Sequence, residues 1–186
     1  MTVAVDQIPD VPNDMEFNHW HFLQKLKDAI KDVNIAAIAE AAGYVPPVGS
    51  KVSAYLAADQ TGIAQATFTK VEFNAVKFDT LDEFDITTNH RFIAKSSGYY
   101  MVTGSVRWNS LDDGDYITIA IYVNGSSVSL VHTELGGGTT PRYNSNKLVY
   151  LEVDDYIELW TRHGYTGNRD IDSEQQGTYL TIHRVF

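Results

Sequence analysis

The chain has 186 residues, 44% of them hydrophobic and 20% charged, with 13 glycines, 5 prolines and no cysteine. Such a length fits one domain with an appendage and suffices to bury roughly 70% of the unfolded chain's surface, while the missing cysteines exclude a disulfide scaffold, thiolate metal ligands and a cysteine nucleophile. With 14 Lys+Arg against 24 Asp+Glu the formal charge is −10, which repels phosphate backbones and excludes nucleic acid as an expected partner.

The opening MTVAVDQIPDVPND has neither a basic start nor an apolar run, so no secretory leader is expected. No stretch is long and apolar enough to span a bilayer, so no membrane partner is expected either. Residues 1–13 read as an extended arm. Pro9 and Pro12 stiffen the backbone, and Val3, Val5, Ile8 and Val11 offer apolar contacts too few to form a core. Residues 14–47 read as a helical anchor or linker. Asn13 with Glu16 resembles a capping box, no Pro or Gly interrupts the run to Ala42, and Gly43 with Pro46-Pro47 closes it. Leu23, Leu26, Ile30, Val33 and Ala37 form a short heptad seam, the candidate helix-packing surface, although Asn34 could cap a second short helix. That seam serves either its own domain or a partner.

From residue 48 the period changes to two. In Tyr116 to Val123 the residues Ile117, Ile119, Ile121 and Val123 share one face, and Asn124-Gly125 supplies a type I′ hairpin turn before Val128 and Leu130. Similar runs occur at 52–56, 67–78, 91–94, 99–108, 148–153, 156–161 and 179–185. About nine strands without a helical interlude read as an all-β sandwich or jelly roll.

Five short motifs in order then resemble one family, the C1q/tumour-necrosis-factor-like jelly roll. They are Val52-Ser53-Ala54-Tyr55-Leu56; Phe92 with Gly98-Tyr99-Tyr100; Val123-Asn124-Gly125; Leu148 to Val153 followed by Asp154-Asp155-Tyr156-Ile157; and Gly177-Thr178-Tyr179-Leu180. The resemblance covers Lys51 to Phe186, within a head domain read as residues 48–186. It implies a ten-stranded, two-sheet head that assembles as a homotrimer and binds rather than catalyses. Two family glycines are missing, one near Asn89-His90 and one replaced by Asp154. Asp and Asn tolerate left-handed turns, so altered turns and an unchanged fold are expected. A short helix stands where the family has a collagen-like stem, a layout similar to phage fibre and capsid-decoration proteins.

Catalytic patterns are weak. His19 and His21 lie about 200° apart around a helix, which does not suit one metal ion. Asp112-Asp113-Gly114-Asp115 lacks a calcium loop's closing glutamate and reads as a solvated turn. Asn168-Arg169-Asp170-Ile171-Asp172 reads as a second acidic loop, the weaker alternative being a calcium site at Asp170 and Asp172. No nucleophile elbow, HExxH or phosphate-cradling loop occurs. No enzyme, cofactor or metal is expected. Trp108, Tyr143 and Tyr165 are read at strand ends or in loops, as candidate ligand contacts or buried subunit contacts.

The expectation is therefore a virion structural protein assembled in a host cytoplasm. It is a trimeric decoration or cement protein whose arm and helix grip the major capsid protein or another virion component. The alternative is a receptor-binding fibre tip recognising host surface polysaccharide, and a third, weaker reading is a free carbohydrate-binding lectin.

Overall fold

The computed structural model describes Lys25 and residues 49–112, 114–136 and 140–185. The chain divides into two compact units, Met1–Pro47 and Val48–Phe186. The arm with Val3, Val5, Ile8 and Val11, and the seam of Leu23, Leu26, Ile30 and Val33, lie outside the described residues. Between residues 14 and 47, only Lys25 is described, exposed and in helical backbone.

The second unit is all β. Thirteen strands follow in order: β1 (Lys51–Tyr55), β2 (Gln60–Ile63), β3 (Thr69–Lys70), β4 (Ala75–Asp79), β5 (Phe84–Asp85), β6 (Arg91–Ile93), β7 (Gly98–Asn109), β8 (Tyr116–Val123), β9 (Ser126–Glu134), β10 (Arg142–Leu151), β11 (Tyr156–His163), β12 (Arg169–Ile171) and β13 (Tyr179–Arg184). They form two antiparallel sheets. The first runs β2-β12-β7-β13-β1-β4, with β10 also paired to β7; the second runs β5-β6-β11-β8-β9, with β3 also paired to β11. Thirteen strands exceed the ten expected, because short strands such as β2, β3 and β12 add to the sheets, while the two-sheet antiparallel architecture is the one expected.

Alternation drives this packing. Ile117, Ile119 and Ile121 of β8 pair with His163, Thr161 and Leu159 of β11, and all six are buried. The facing layer is supplied by Val52 and Ala54 of β1, Leu180 and Ile182 of β13, and Tyr100, Val102 and Val106 of β7. Gly104 sits in that row because a Cβ there would meet Leu159 Cδ1 at 2.4 Å, so the sheets close tightly only over a glycine. On one side the sandwich is closed between its edge strands, where Ser129 of β9 and Ser145 of β10 share a 2.9 Å hydroxyl hydrogen bond.

The turns hold as expected, with one shift. Asn124 (φ 49°) and Gly125 (φ 78°) make the left-handed pair between β8 and β9. Asp154 takes φ 71° in the β10–β11 turn. At the other missing glycine the left-handed residue is His90 (φ 48°), held by a 3.0 Å contact between its Nδ1 and the Phe73 carbonyl oxygen. The acidic stretch 168–172 is corrected: Arg169–Ile171 is strand β12, and Ile171 is fully buried.

Candidate functional site

The outward face of the first sheet gathers exposed apolar side chains at one end. Register sets Tyr99 of β7 opposite Tyr150 of β10, and Met101 opposite Leu148. These four lie on the side of β7 and β10 away from the buried Tyr100, Val102 and Leu151. Tyr99, Tyr150 and Leu148 are each about half exposed, at 48%, 55% and 48%, and the two tyrosine rings meet edge to face at 5.3 Å. Farther across the face, Phe78 of β4 lies opposite Ser53 of β1 and is also exposed. Clustered apolar side chains on an outward sheet face are what an interaction surface leaves exposed in a lone subunit.

At the other end of this face the pattern is polar and aromatic. Tyr55 pairs with Tyr179, and Ser53 with Thr181, across β1 and β13. All four side chains are half-buried and border an open depression.

The outward face of the second sheet is built differently. Trp160 and Tyr122 are tilted against each other at 5.3 Å. The indole N–H of Trp160 donates to Glu158 Oε2 at 3.0 Å, and Lys70 Nζ donates to Glu158 Oε1 at 3.2 Å. Arg162 lies over the rings of Phe68 and Tyr116. The Glu158 carboxylate is thus shared between Trp160 and Lys70, and the Arg162 guanidinium is held against aromatic rings.

The aromatic residues singled out in the sequence do not converge on one site. Trp108 is a correction. It is fully buried rather than available at a strand end, because β7 continues to Asn109 and β12 pairs alongside it, with Ile171 opposite Trp108. Its ring packs edge-on against His163 at 4.8 Å. Tyr143 lies opposite the inward Val106 and packs half-buried against the core. Tyr165 follows β11, packs on the core, and has the Arg169 guanidinium 3.2 Å above its ring. Asp170 accepts the Gly62 N–H at 2.8 Å; Asp172 accepts the Glu174 N–H at 2.7 Å and pairs with Arg107 at 3.5 Å. Among the described residues no three metal-ligating side chains gather, and no helix is long and apolar enough to cross a membrane.

Among the described residues, four groups titrate away from their ordinary values. The backbone N–H groups of Thr88 and Thr87 and the side-chain amide of Asn89 hold the Asp85 carboxyl well below the usual range. Hydrogen bonds from Ser173 and then Asn109 lower Asp59, and those from the Glu152 N–H and the Asn124 amide lower Asp155. Burial, then the nearby Glu83 carboxylate, raises Tyr100. All three depressed carboxylates brace turns or loop junctions.

Tyr55 and Tyr179 were missed as candidates. Their outward phase was legible from the inward Val52, Ala54, Leu180 and Ile182. Their adjacency depends on pairing β1 with β13, a contact between opposite ends of the β unit.

No family model matches the chain. Over 111 residues it is 32% identical to the uncharacterized protein YqcC of Bacillus subtilis, covering 55% of this chain and 30% of YqcC. The phage-like element PBSX protein XkdV of the same organism is 28% identical over 109 residues, 53% of this chain and 15% of XkdV. The chain thus spans less than a third of the length of these curated relatives. Among solved structures, murine APRIL at pH 5.0 superposes with a TM-score of 0.58 at 11% identity, covering 74% of this chain and 100% of that one. Eiger TNF from S. frugiperda gives 0.55 at 8% identity, with 75% and 92% covered. The globular domain of zebrafish complement 1qA gives 0.52 at 14% identity, with 75% and 98% covered. The fold is the TNF/C1q-like jelly roll.

Proposed function

We propose that this chain is a structural protein of a phage-type particle: a homotrimeric jelly-roll head attached by residues 1–47 to the major capsid protein or another virion component, as a decoration or cement protein. The observation that carries this reading is the relationship to XkdV, a protein of a phage-like element. The fold supports a head that assembles and binds rather than one that catalyses. The outward quartet of Tyr99, Met101, Leu148 and Tyr150 supplies an apolar surface for neighbouring copies, and closed symmetry makes such a surface self-limiting. In this reading Val3, Val5, Ile8 and Val11 are the anchoring contacts, and Leu23, Leu26, Ile30 and Val33 the helix-packing ones. Neither nucleic acid nor a membrane has a part in it.

A second reading, the receptor-binding tip of a tail or head fibre, is favoured by the relatives' length: the matched stretch is 30% of one and 15% of the other, as a head on a longer stalk would be. Imaging of particles carrying a density tag after Phe186 tests the proposal. Label spread over the shell at threefold features is expected. Label confined to fibre ends would replace the first reading with the second, and particles without label would end both.

A further inference from the structure

The depression beside Tyr55 and Tyr179 encloses about 400 Å³, within the roughly 300–1,000 Å³ span of small-molecule clefts. Tyr179 pairs with Ser105 of β7, four residues from Met101 and six from Tyr99, and so about 13 to 20 Å along the strand from the apolar quartet. Its floor is the cross-strand pairs Tyr55–Tyr179 and Ser53–Thr181, with Lys77 of β4 on one rim and the Glu174-Gln175-Gln176 segment on the other.

That second rim is held rigidly by the sheet beneath it. Arg107 of β7 pairs with both Glu174 and Asp172. Arg142 of β10 donates from Nη1 to the Gln176 carbonyl oxygen at 2.8 Å. The N–H groups of Gly177 and Thr178 both donate to the Glu174 carbonyl oxygen, at 2.7 and 2.8 Å, and Ser105 Oγ donates to the Gly177 carbonyl oxygen at 2.7 Å. Glycine is required at 177, since a Cβ would meet Arg107 Cδ at 2.8 Å. These contacts use the loop's backbone and the Glu174 carboxylate, while the side chains of Gln175, Gln176 and Lys77 remain exposed to solvent. A wall fixed before binding spares a ligand the cost of ordering it.

We propose that this depression binds a neutral saccharide. Two neighbouring tyrosine rings offer apolar surface to the C–H face of a pyranose. The hydroxyls of Ser53 and Thr181, the two glutamine amides and the Lys77 ammonium supply both donors and acceptors for its hydroxyl groups. An apolar ligand would strand those polar groups at a cost. A polyanion meets a chain of net charge −10 with Glu174 on the rim. The inference rests on the second functional reading, glycan recognition, and names where that recognition takes place.

The test uses the full chain in calorimetric titrations with neutral oligosaccharides of glucose, galactose, rhamnose and N-acetylglucosamine, with hyaluronate as the polyanionic contrast. Binding of at least one neutral sugar and not of hyaluronate is expected. The exposed double variant Gln175→Ala/Gln176→Ala should weaken that binding at least about tenfold with an unchanged melting temperature. Tyr179→Trp, which keeps an aromatic floor, should retain it. Failure of every neutral sugar, or equal binding by the double variant, overturns the site. Host cells separate the two levels: equal cell binding by parent and double variant overturns the site and leaves glycan recognition standing, whereas no binding of cells or sugars by the parent overturns both.

Discussion

Asp154 holds φ 71° where a glycine is the ordinary solution, and its N–H donates to the Ala94 carbonyl oxygen at 2.8 Å. The left-handed conformation costs an L-residue roughly 1–2 kcal/mol, less for Asp than for a β-branched side chain. Asp154→Gly should therefore keep stability within about 0.5 kcal/mol of the parent or raise it, while Asp154→Val should lower it by about 1–2 kcal/mol in urea unfolding. Charge is used at turns in the same local way. Asp85 accepts the N–H groups of Thr87, Thr88 and Asn89 at 3.0, 2.9 and 3.1 Å, and Asp59 and Asp155 brace their loops similarly. All three carboxyls bind a proton more weakly folded than unfolded, so the unfolded chain takes up more protons as pH falls through about 4. Their stabilising contribution is complete above that pH and is lost below it, as the folded carboxylates protonate. The melting temperature should be flat from about pH 7 to 5 and fall below about pH 4. Asp85→Asn should melt lower at neutral pH and lose less on acidification.

At the scale of elements, β7 organises the first sheet, pairing with β10, β12 and β13 over its twelve residues. The outward register it imposes on β10 creates the apolar quartet, and this gives a direct test of the proposed interface. Leu148→Asp places a charge on an exposed position that faces no core contact, so the single subunit should still fold. Light scattering should move from about three chain masses to one, with the circular dichroism of a β fold retained. An unchanged trimer would place the interface elsewhere. Elements with strict alternation were legible in the sequence: β8 and its Asn124-Gly125 turn follow from period two and turn chemistry alone, whereas a register shift beside Tyr122 sets Ser129 and Val131 of β9 opposite the buried Ile121 and Ile119 and leaves Leu130 exposed. The first half of β10 was not legible, because residues 142–147 are polar except Tyr143, and their strand state comes from pairing with β7 rather than from a pattern of their own. β12 escaped for a related reason, since three residues with one inward isoleucine carry no periodicity. Trp108 was misplaced because the strands that cover it, β2 and β12, are the short ones. The tyrosine floor required knowledge of which distant strands pair, a tertiary fact that local sequence does not encode.

On the scale of the whole molecule, the jelly roll and the chain before it are assigned different tasks. If assembly is driven by the head, residues 48–186 alone should give about three times their own mass in light scattering and melt in one cooperative transition. A monomeric head would move the assembly function to the heptad seam. In the proposed function, attachment belongs to the arm. A dozen residues fixed in extended conformation lose roughly 1–2 kcal/mol of backbone entropy each, so the apolar side chains of Val3, Val5, Ile8 and Val11 need a partner surface. Three arms on one head multiply weak contacts by avidity. The most direct measurement is co-sedimentation of the chain lacking residues 1–13 with particles assembled in the absence of this protein, beside the full chain. The full chain is expected to pellet with the particles, and the shortened one to stay in the supernatant as a trimer with an unchanged melting temperature. Equal pelleting of both forms would contradict attachment through the arm.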